Sequence, residues 1–197
     1  MKLEFLMNQE NCTGYDDFQK RHVKKLTAIQ EQFNQHPHYQ DSLGWMDVEQ
    51  WAHSAQLKEL SELALQIQSQ ADVFIVVGVG GSNQAARAVI EALKKYDDTC
   101  EIVYAGHHLS AHYYHQLIEK YKDKSIYINV IAKNFATLEP GIGFRILSDF
   151  LNQKYGSSAH ERIYMTGTVG SRLHQLCQEQ QYTFLTFPDD IGGRFSC

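Results

Sequence analysis

The feature that most constrains this chain is the alternation, from Asp72 onward, of short apolar runs with amphipathic helical segments. The first run, VFIVVGV (73–79), is continuous and rich in β-branched residues, which is typical of a parallel strand buried on both faces. Strands that alternate with helices form a doubly wound α/β sheet, because crossover connections are right-handed. The pattern predicts five parallel strands, for which we expect the flavodoxin-like order 2-1-3-4-5. The four further runs lie at 101–106, 126–132, 162–167 and 183–187.

The region from residue 1 to about 70 differs because it is polar and helical in period. Side chains three or four residues apart predict one helix, which ends before the stretch NQHPHYQDSLGW, and then a second helix. We therefore expect a helical extension over 1–70 and a binding domain over 71–197. The first predicted face holds Phe18, His22, Leu26, Ile29 and Phe33, and the second holds Leu57, Leu60, Leu63, Ala64 and Ile67.

The composition excludes several classes of protein. With 43% hydrophobic and 21% charged residues over 197 positions, the chain suits an ordinary globular protein. Its net charge of −5 argues against binding nucleic acid or an anionic membrane through bulk charge. The apolar runs fall short of the roughly 20 residues that span a bilayer, and the N-terminal one is too short for a signal peptide. We expect a cytoplasmic protein whose four cysteines are free thiols, because none forms a CxxC pair.

The loop after the first predicted strand, GVGGSN (78–83), is the first candidate binding element. Gly80 and Gly81 let the backbone turn sharply and let an anion approach, while a helix N-terminus presents unpaired N–H groups. Ser82 is placed to cap that helix and to donate its hydroxyl to an anion. The loop predicts a phosphate or sulfate cradle, and the alternative is a tight turn that serine merely caps.

A dinucleotide is not the expected ligand of this loop. The loop lacks the Gly-Lys-Ser/Thr of a P-loop, and Asn83 replaces the last glycine of GxGxxG. Dinucleotide binding also needs an acidic residue at the end of the second strand, where this chain has Gly106, His107 and His108. We therefore expect no nicotinamide cofactor.

The loop after the third predicted strand is the second candidate element. Thr137 resembles an N-cap residue, with Glu139 and Pro140 in the first helical turn, so a second helix N-terminus faces the same crevice. Lys133 adds a full positive charge there, unless it is only a solvated loop lysine. If the predicted strand order holds, the two loops flank the switch point where ligands of open α/β sheets bind.

Two further groups of residues carry charge near the predicted sheet. Arg194 follows two glycines after the fifth strand and is a candidate to stabilise a phosphate or an oxyanion, although a surface arginine is the plainer interpretation. His108, His112 and His115 share a helical face by their spacing. No carboxylate or cysteine joins them in register, so we expect a solvated face and no metal.

Together these loops resemble the N-terminal half of the glucose-6-phosphate isomerase family, which has a sugar-isomerase fold. The resemblance covers 41–196 and is carried by DSLGWMDV, DVFIVVGVGGSNQAARAVIEAL, INVIAKNFATLEPGIGFRIL, HERIY and FPDDIGGRFS. That family interconverts glucose 6-phosphate and fructose 6-phosphate in glycolysis and gluconeogenesis, with a general base and without metal or nucleotide. The resemblance therefore implies a sugar phosphate as ligand and no cofactor.

The resemblance also implies a role for each matched residue. The backbone of Gly80 and Gly81 and the Ser82 hydroxyl would hold the substrate phosphate. Glu139 would border the reacting sugar, and Arg194 would stabilise the enediolate, an anion that needs a fixed cation. The second phosphate loop would comprise Lys133, Asn134 and Thr137.

The chain departs from the family pattern in two respects. Ala132, Asn134 and Ala136 stand where the family has hydroxyl residues, and losing two or three neutral donors weakens phosphate binding by about one to three orders of magnitude. The base, the ring-opening histidine and a final lysine would come from sequence following residue 196. The resemblance thus implies a chain that is inactive alone and that forms a homodimer or associates with a C-terminal half. A sugar-phosphate sensor and a non-binding relic remain the alternatives.

Overall fold

The N-terminal part of the computed structural model is helical, as the sequence predicts. The structure describes residues 14–35, 44–46, 48–95, 98–133 and 135–192. None of the helices in those ranges is both long and apolar enough to cross a membrane. The N-terminal helices are α1 (Tyr15–Gln35), α2 (Val48–Trp51) and α3 (Ser54–Gln70), with a 3-10 turn at Gly44–Met46.

The rest of the described chain forms one five-stranded parallel sheet. The strand order is β2-β1-β3-β4-β5, which confirms both the α/β class and the predicted order. The strands are β1 (Val73–Val77), β2 (Glu101–Ala105), β3 (Ile126–Ile131), β4 (Ile163–Gly167) and β5 (Thr183–Thr186). The connecting helices are α4 (Gly81–Leu93), α5 (Ala111–Tyr121), α6 (Leu138–Tyr155) and α7 (Arg172–Gln180), and a 3-10 helix at Gly156–Arg162 precedes β4.

The main core lies on one face of the sheet, beneath α5, α6 and α7. Ile75, Ile128 and Met165 contribute fully buried side chains from the three central strands. The helices supply Tyr114, Leu117, Phe144, Leu147, Leu151, Leu173 and Cys177 to the same cluster. Burial of this apolar surface stabilises the sheet and fixes where each strand ends. The positions of the loops at the carboxyl edge follow from it.

The opposite face of the sheet has a smaller core beneath α3. Ile67 packs there with Tyr127 and Tyr164. The predicted inner face of α3 is only partly correct, because Leu57 and Leu60 are 50% and 40% exposed in the described structure. The helix therefore meets the sheet through its C-terminal half, and its first two turns leave apolar side chains in solvent. The division into two domains stays a prediction.

Candidate functional site

The two predicted binding loops leave neighbouring strands at the same edge of the sheet. Strands β1 and β3 are paired in parallel, and Val77 lies opposite Val130. The next residues along, Gly78 and Ile131, are correspondingly close: a Cβ built on Gly78 would lie 3.4 Å from the Ile131 carbonyl oxygen. The loops that begin at these residues therefore start side by side at the switch point of the sheet.

Gly106 directly follows β2 and lies against both the loop after β1 and the first turn of α6. It has a φ of +82°, and a Cβ on it would lie 2.8 Å from the Gly78 nitrogen and 3.3 Å from the Pro140 Cα. Its N–H donates to the Tyr114 hydroxyl at 3.2 Å. The β1 loop, the end of β2 and the first turn of α6 thus converge on one residue that only glycine fits.

The carbonyl groups of the first loop all accept hydrogen bonds from within the protein. The Gly78 carbonyl accepts from the Asn83 side-chain amide at 2.8 Å. The Val79 carbonyl accepts from the Ser82 N–H at 3.3 Å, and the Gly80 carbonyl accepts from two N–H groups at 3.2 and 3.0 Å. Each carbonyl of residues 78–80 is therefore engaged by a donor within the protein.

The N–H groups of the same loop differ from its carbonyls in their hydrogen bonding. In the described part of the chain, no group accepts a hydrogen bond from the N–H of Val79, Gly80 or Gly81. Gly80 has φ +59° and ψ −130°, a conformation that glycine adopts readily. Unpaired N–H groups at the start of a helix, together with the helix dipole, are an arrangement that favours an anion, so this loop remains the first candidate binding element.

Ser82 does not cap α4, contrary to the prediction from sequence. The N-cap is Gly80, which has no side chain to cap the helix, and Ser82 is the second residue of the helix. The helix starts earlier than predicted because Gly80, with no side chain, adopts the φ of +59° that begins the turn. Ser82 therefore lies inside the first turn of α4, next to the residues whose N–H groups are free, without serving as the cap.

The second loop has the predicted helix start. Thr137 is the N-cap of α6, and its hydroxyl makes no capping hydrogen bond. Glu139 is in the first turn of α6. Phe135 has a φ of +60°, which is rare for a residue with a large side chain, and its ring packs 5.9 Å from that of Phe144. Packing of the partly buried Phe135 ring against the core thus offsets a strained backbone within this loop.

Lys133 joins the second loop to the segment after β5. Its Nζ donates to the Ile191 carbonyl at 3.4 Å, a long hydrogen bond. The same segment accepts a hydrogen bond from the Gly44 N–H through the Asp190 carbonyl at 2.9 Å. Ile191 therefore lies beside Lys133, at the start of the second loop. Asn134 and Arg194 lie outside the described residues, so their predicted roles stay predictions.

The histidines after β2 pack as an aromatic cluster. The rings of His107 and His108 lie 4.3 Å apart, and that of His108 lies 4.9 Å from Tyr113. Burial, with a smaller effect of His108, holds the pKa of His107 below its ordinary value, which favours a neutral ring near pH 7. His108, with His112 and His115 on α5, is exposed, and the described residues contain no group of three or more metal-ligating side chains.

Three residues that shape this edge had no predicted role. Asn83, Gly106 and Tyr114 hold the first loop in place, through the contacts given above. In the sequence, Asn83 stands where the GxGxxG motif has its last glycine. That difference argued against a dinucleotide ligand but suggested no function for Asn83 itself. Gly106 gave a weaker signal as a glycine that directly follows a strand.

Comparison with known proteins gives a family. A profile of the phosphoglucose isomerase family matches residues 45–197. The chain is 37% identical over 161 residues to a glucose-6-phosphate isomerase of Leptospira interrogans, and 38% identical over 167 residues to one of Exiguobacterium sibiricum. These matches cover 78% and 79% of this chain but only 36% and 37% of the relatives. The chain thus spans just over a third of the length of these relatives.

Solved structures agree on the fold. A hypothetical protein of Thermus thermophilus superposes with a TM-score of 0.80 at 20% identity, covering 93% of this chain and 43% of that one. A glucose-6-phosphate isomerase of Chlamydia trachomatis gives a TM-score of 0.60 at 21% identity, covering 70% of this chain and 26% of its own. The profile match, the sequence relatives and the shared fold agree: this chain belongs to the phosphoglucose isomerase family.

Proposed function

We propose that this chain binds the phosphate group of a hexose phosphate at the carboxyl edge of its sheet. The observation that carries the proposal is the polarity of the first loop. Its carbonyls are engaged inside the protein, whereas the N–H groups of Gly80 and Gly81 have no acceptor among the described residues. A phosphate dianion needs such donors, and hydrogen bonds to a charged group are about twice as strong as neutral ones. Because the chain belongs to the phosphoglucose isomerase family, we propose that the anion is a sugar phosphate.

The proposal assigns the donors to two loops that flank one ligand. The Ser82 hydroxyl joins the Gly80 and Gly81 amides on the first loop. The Thr137 hydroxyl, which makes no cap bond, and the Lys133 ammonium add to them from the second loop. The Lys133 hydrogen bond to the Ile191 carbonyl is long enough to be exchanged for one to a phosphate. Asn134 completes the second loop in this proposal.

Sugar-phosphate binding is a narrower function than isomerisation. Moving a proton between C1 and C2 of the sugar requires a positioned base and a group that stabilises the enediolate. Within this chain we propose that Glu139 borders the reacting sugar and that Arg194 supplies the cation. The family resemblance assigns the base to sequence following residue 196. We therefore propose that the chain by itself binds substrate with negligible turnover, and a coupled isomerase assay that detects turnover would contradict this.

Glucose 6-phosphate is expected to raise the melting temperature of the chain. A ligand at about 100 times its Kd adds about 2.7 kcal/mol to stability, which is roughly 5–10 °C for a chain of this size. Replacing Ser82 with alanine removes one donor to the phosphate and should weaken binding about tenfold or more, so at the same ligand concentration the shift should fall to about half or less. Differential scanning fluorimetry with glucose 6-phosphate and with glucose measures both effects.

Ser171 provides a matched control for this experiment. It caps α7 by accepting a hydrogen bond from the His174 N–H, at a helix that follows β4 and not β1 or β3. Ser171→Ala should lower the melting temperature of the free chain and leave the ligand-induced shift intact. Absence of any shift for the wild-type chain at millimolar ligand would reject the binding function and favour a non-binding relic.

Apolar side chains on α3 and α4 support a second proposal, that this chain associates with further polypeptide. Leu57, Leu65, Val89 and Leu93 are each at least 50% exposed. A groove of about 650 Å³ lies between these two helices and the sheet, with Leu60 and Ile90 in its lining. An apolar groove of this kind is a typical site of contact with another protein surface. The occupant we propose is a second copy, and multi-angle light scattering should show dimers at micromolar concentration. A monodisperse monomer would contradict the proposal.

A further inference from the structure

Asn83 is a buried polar residue in the first turn of α4, and its burial needs a reason. Only 1% of it is exposed, and the other buried polar residue in the described part of the chain, Ser148, is 9% exposed. Burying an amide costs free energy unless its donors and acceptor are satisfied. An apolar side chain of similar size would avoid that cost. The amide must therefore contribute something that a purely apolar contact does not.

The contribution is a contact with the first residue of the loop. The Asn83 Nδ2 donates to the Gly78 carbonyl at 2.8 Å, and the Gly78 N–H donates to the Ala105 carbonyl at 3.0 Å. Gly78 is thus held by strand β2 on one side and by helix α4 on the other. Because residues 78 and 83 bracket the loop, the side-chain bond closes the loop into a ring.

This bond differs from the others that organise the loop. The carbonyls of Val79 and Gly80 accept from backbone N–H groups, which any sequence would supply. The Gly78 carbonyl alone accepts from a side chain. Without Asn83, that carbonyl is free to turn toward the anion site, where its negative end would oppose a phosphate.

We propose that Asn83 is a positioning residue for anion binding. Its Nδ2 keeps the Gly78 carbonyl directed at a buried amide, so that the site presents N–H groups and no carbonyl oxygen to the ligand. This inference rests on the proposed sugar-phosphate function of the same loop. It assigns the loop's selectivity for an anion to one side chain that does not touch the ligand.

The oxygen of the Asn83 side-chain amide indicates that this residue does more than stabilise the fold. The Oδ1 atom is buried and has no hydrogen-bond partner in the described part of the chain. An unpaired buried acceptor disfavours the folded state, so the side chain offsets its own stabilising bond. A residue retained at such a position fits a requirement of the site better than a requirement of the fold.

The Asn83→Asp variant tests the proposal through its pH dependence. The two side chains have nearly the same shape, but an ionised carboxyl cannot donate to the Gly78 carbonyl, whereas a protonated one can. We expect at least a tenfold weaker affinity for glucose 6-phosphate than wild type at pH 8, recovering to within about threefold at pH 5.5. Isothermal titration calorimetry of both proteins at both pH values separates this recovery from the titration of the phosphate itself.

The Asn83→Ala variant gives a second measurement that does not depend on a buried carboxyl. Its affinity for glucose 6-phosphate should fall about tenfold at both pH values. Ser148→Ala is the matched control, because it removes a buried hydroxyl whose partner, the Arg145 carbonyl, lies in the same helix α6 and outside the first loop. That variant should bind as wild type does.

The outcomes separate the two proposals. A wild-type chain that does not bind glucose 6-phosphate overturns the proposed function together with this inference. Wild-type binding with unchanged affinity in Asn83→Ala overturns this inference and leaves the proposed function standing. An Asn83→Asp variant whose affinity follows the wild-type pH dependence does the same. If Asn83→Asp unfolds at pH 8, the affinities of Asn83→Ala and Ser148→Ala for glucose 6-phosphate decide whether Asn83 positions the loop.

Discussion

Replacing Gly106 with alanine is expected to destabilise the chain by about 3–5 kcal/mol, the largest effect of any single substitution proposed here. The φ of +82° strains any residue with a Cβ atom. The added atom would also lie 2.8 Å from the Gly78 nitrogen and 3.0 Å from the Val77 Cγ1. Since these atoms belong to the central strand β1 and the loop that follows it, relief of the clash would displace the proposed anion-binding loop. Urea-induced unfolding measures the loss.

Alanine variants at two other glycines distinguish the cost of backbone strain at Gly106 from the cost of the steric clash. Gly141, in α6, has open space around a built Cβ and no positive φ, so Gly141→Ala should be neutral or stabilising by up to about 1 kcal/mol. Gly80 has a φ of +59° but nothing within 4 Å of a built Cβ, so Gly80→Ala should cost only the strain, about 1–3 kcal/mol. A Gly106→Ala variant as stable as Gly141→Ala would show that the three segments do not pack as described.

Much of the fold could be predicted because strand and helix periodicity are local properties. The run at 73–79 is continuous because β1 is central and buried on both faces, and the observed strand, Val73–Val77, differs from it by two residues. Such ends are uncertain because a strand stops where its ladder partner stops. The exposed side chains of Leu57 and Leu60 could not be predicted from the same period, because a helical pattern does not say how much of an apolar face meets the sheet.

The candidate site was predictable only in part, for a different reason. Glycines and a serine after a strand indicate an anion loop, but sequence does not say which N–H groups remain unpaired. That distinction arises from contacts between residues distant along the chain, such as the Gly78 N–H with the Ala105 carbonyl. The predicted capping role of Ser82 is wrong because a glycine with positive φ begins the helix earlier than a side-chain cap would.

The coupling between Ser82 and Thr137 is the second large expected effect. Each hydroxyl that donates to a phosphate dianion contributes about 1.5–3 kcal/mol, so Ser82→Ala and Thr137→Val should each weaken glucose 6-phosphate binding by about tenfold or more. If both contact one phosphate, losing the first lets the ligand shift and weakens the second contact. The double variant should then lose less than the sum of the two single losses.

A double-mutant cycle on the Kd for glucose 6-phosphate measures this coupling, with Ser82→Ala and Ser171→Ala as the control pair. We expect a coupling energy of at least about 0.5–1 kcal/mol between Ser82 and Thr137, and none beyond about 0.3–0.5 kcal/mol in the control pair. Because both loops start side by side at Gly78 and Ile131, we expect one ligand to contact both. Strictly additive losses at Ser82 and Thr137, or no loss at either, would contradict a single phosphate site formed by the two loops.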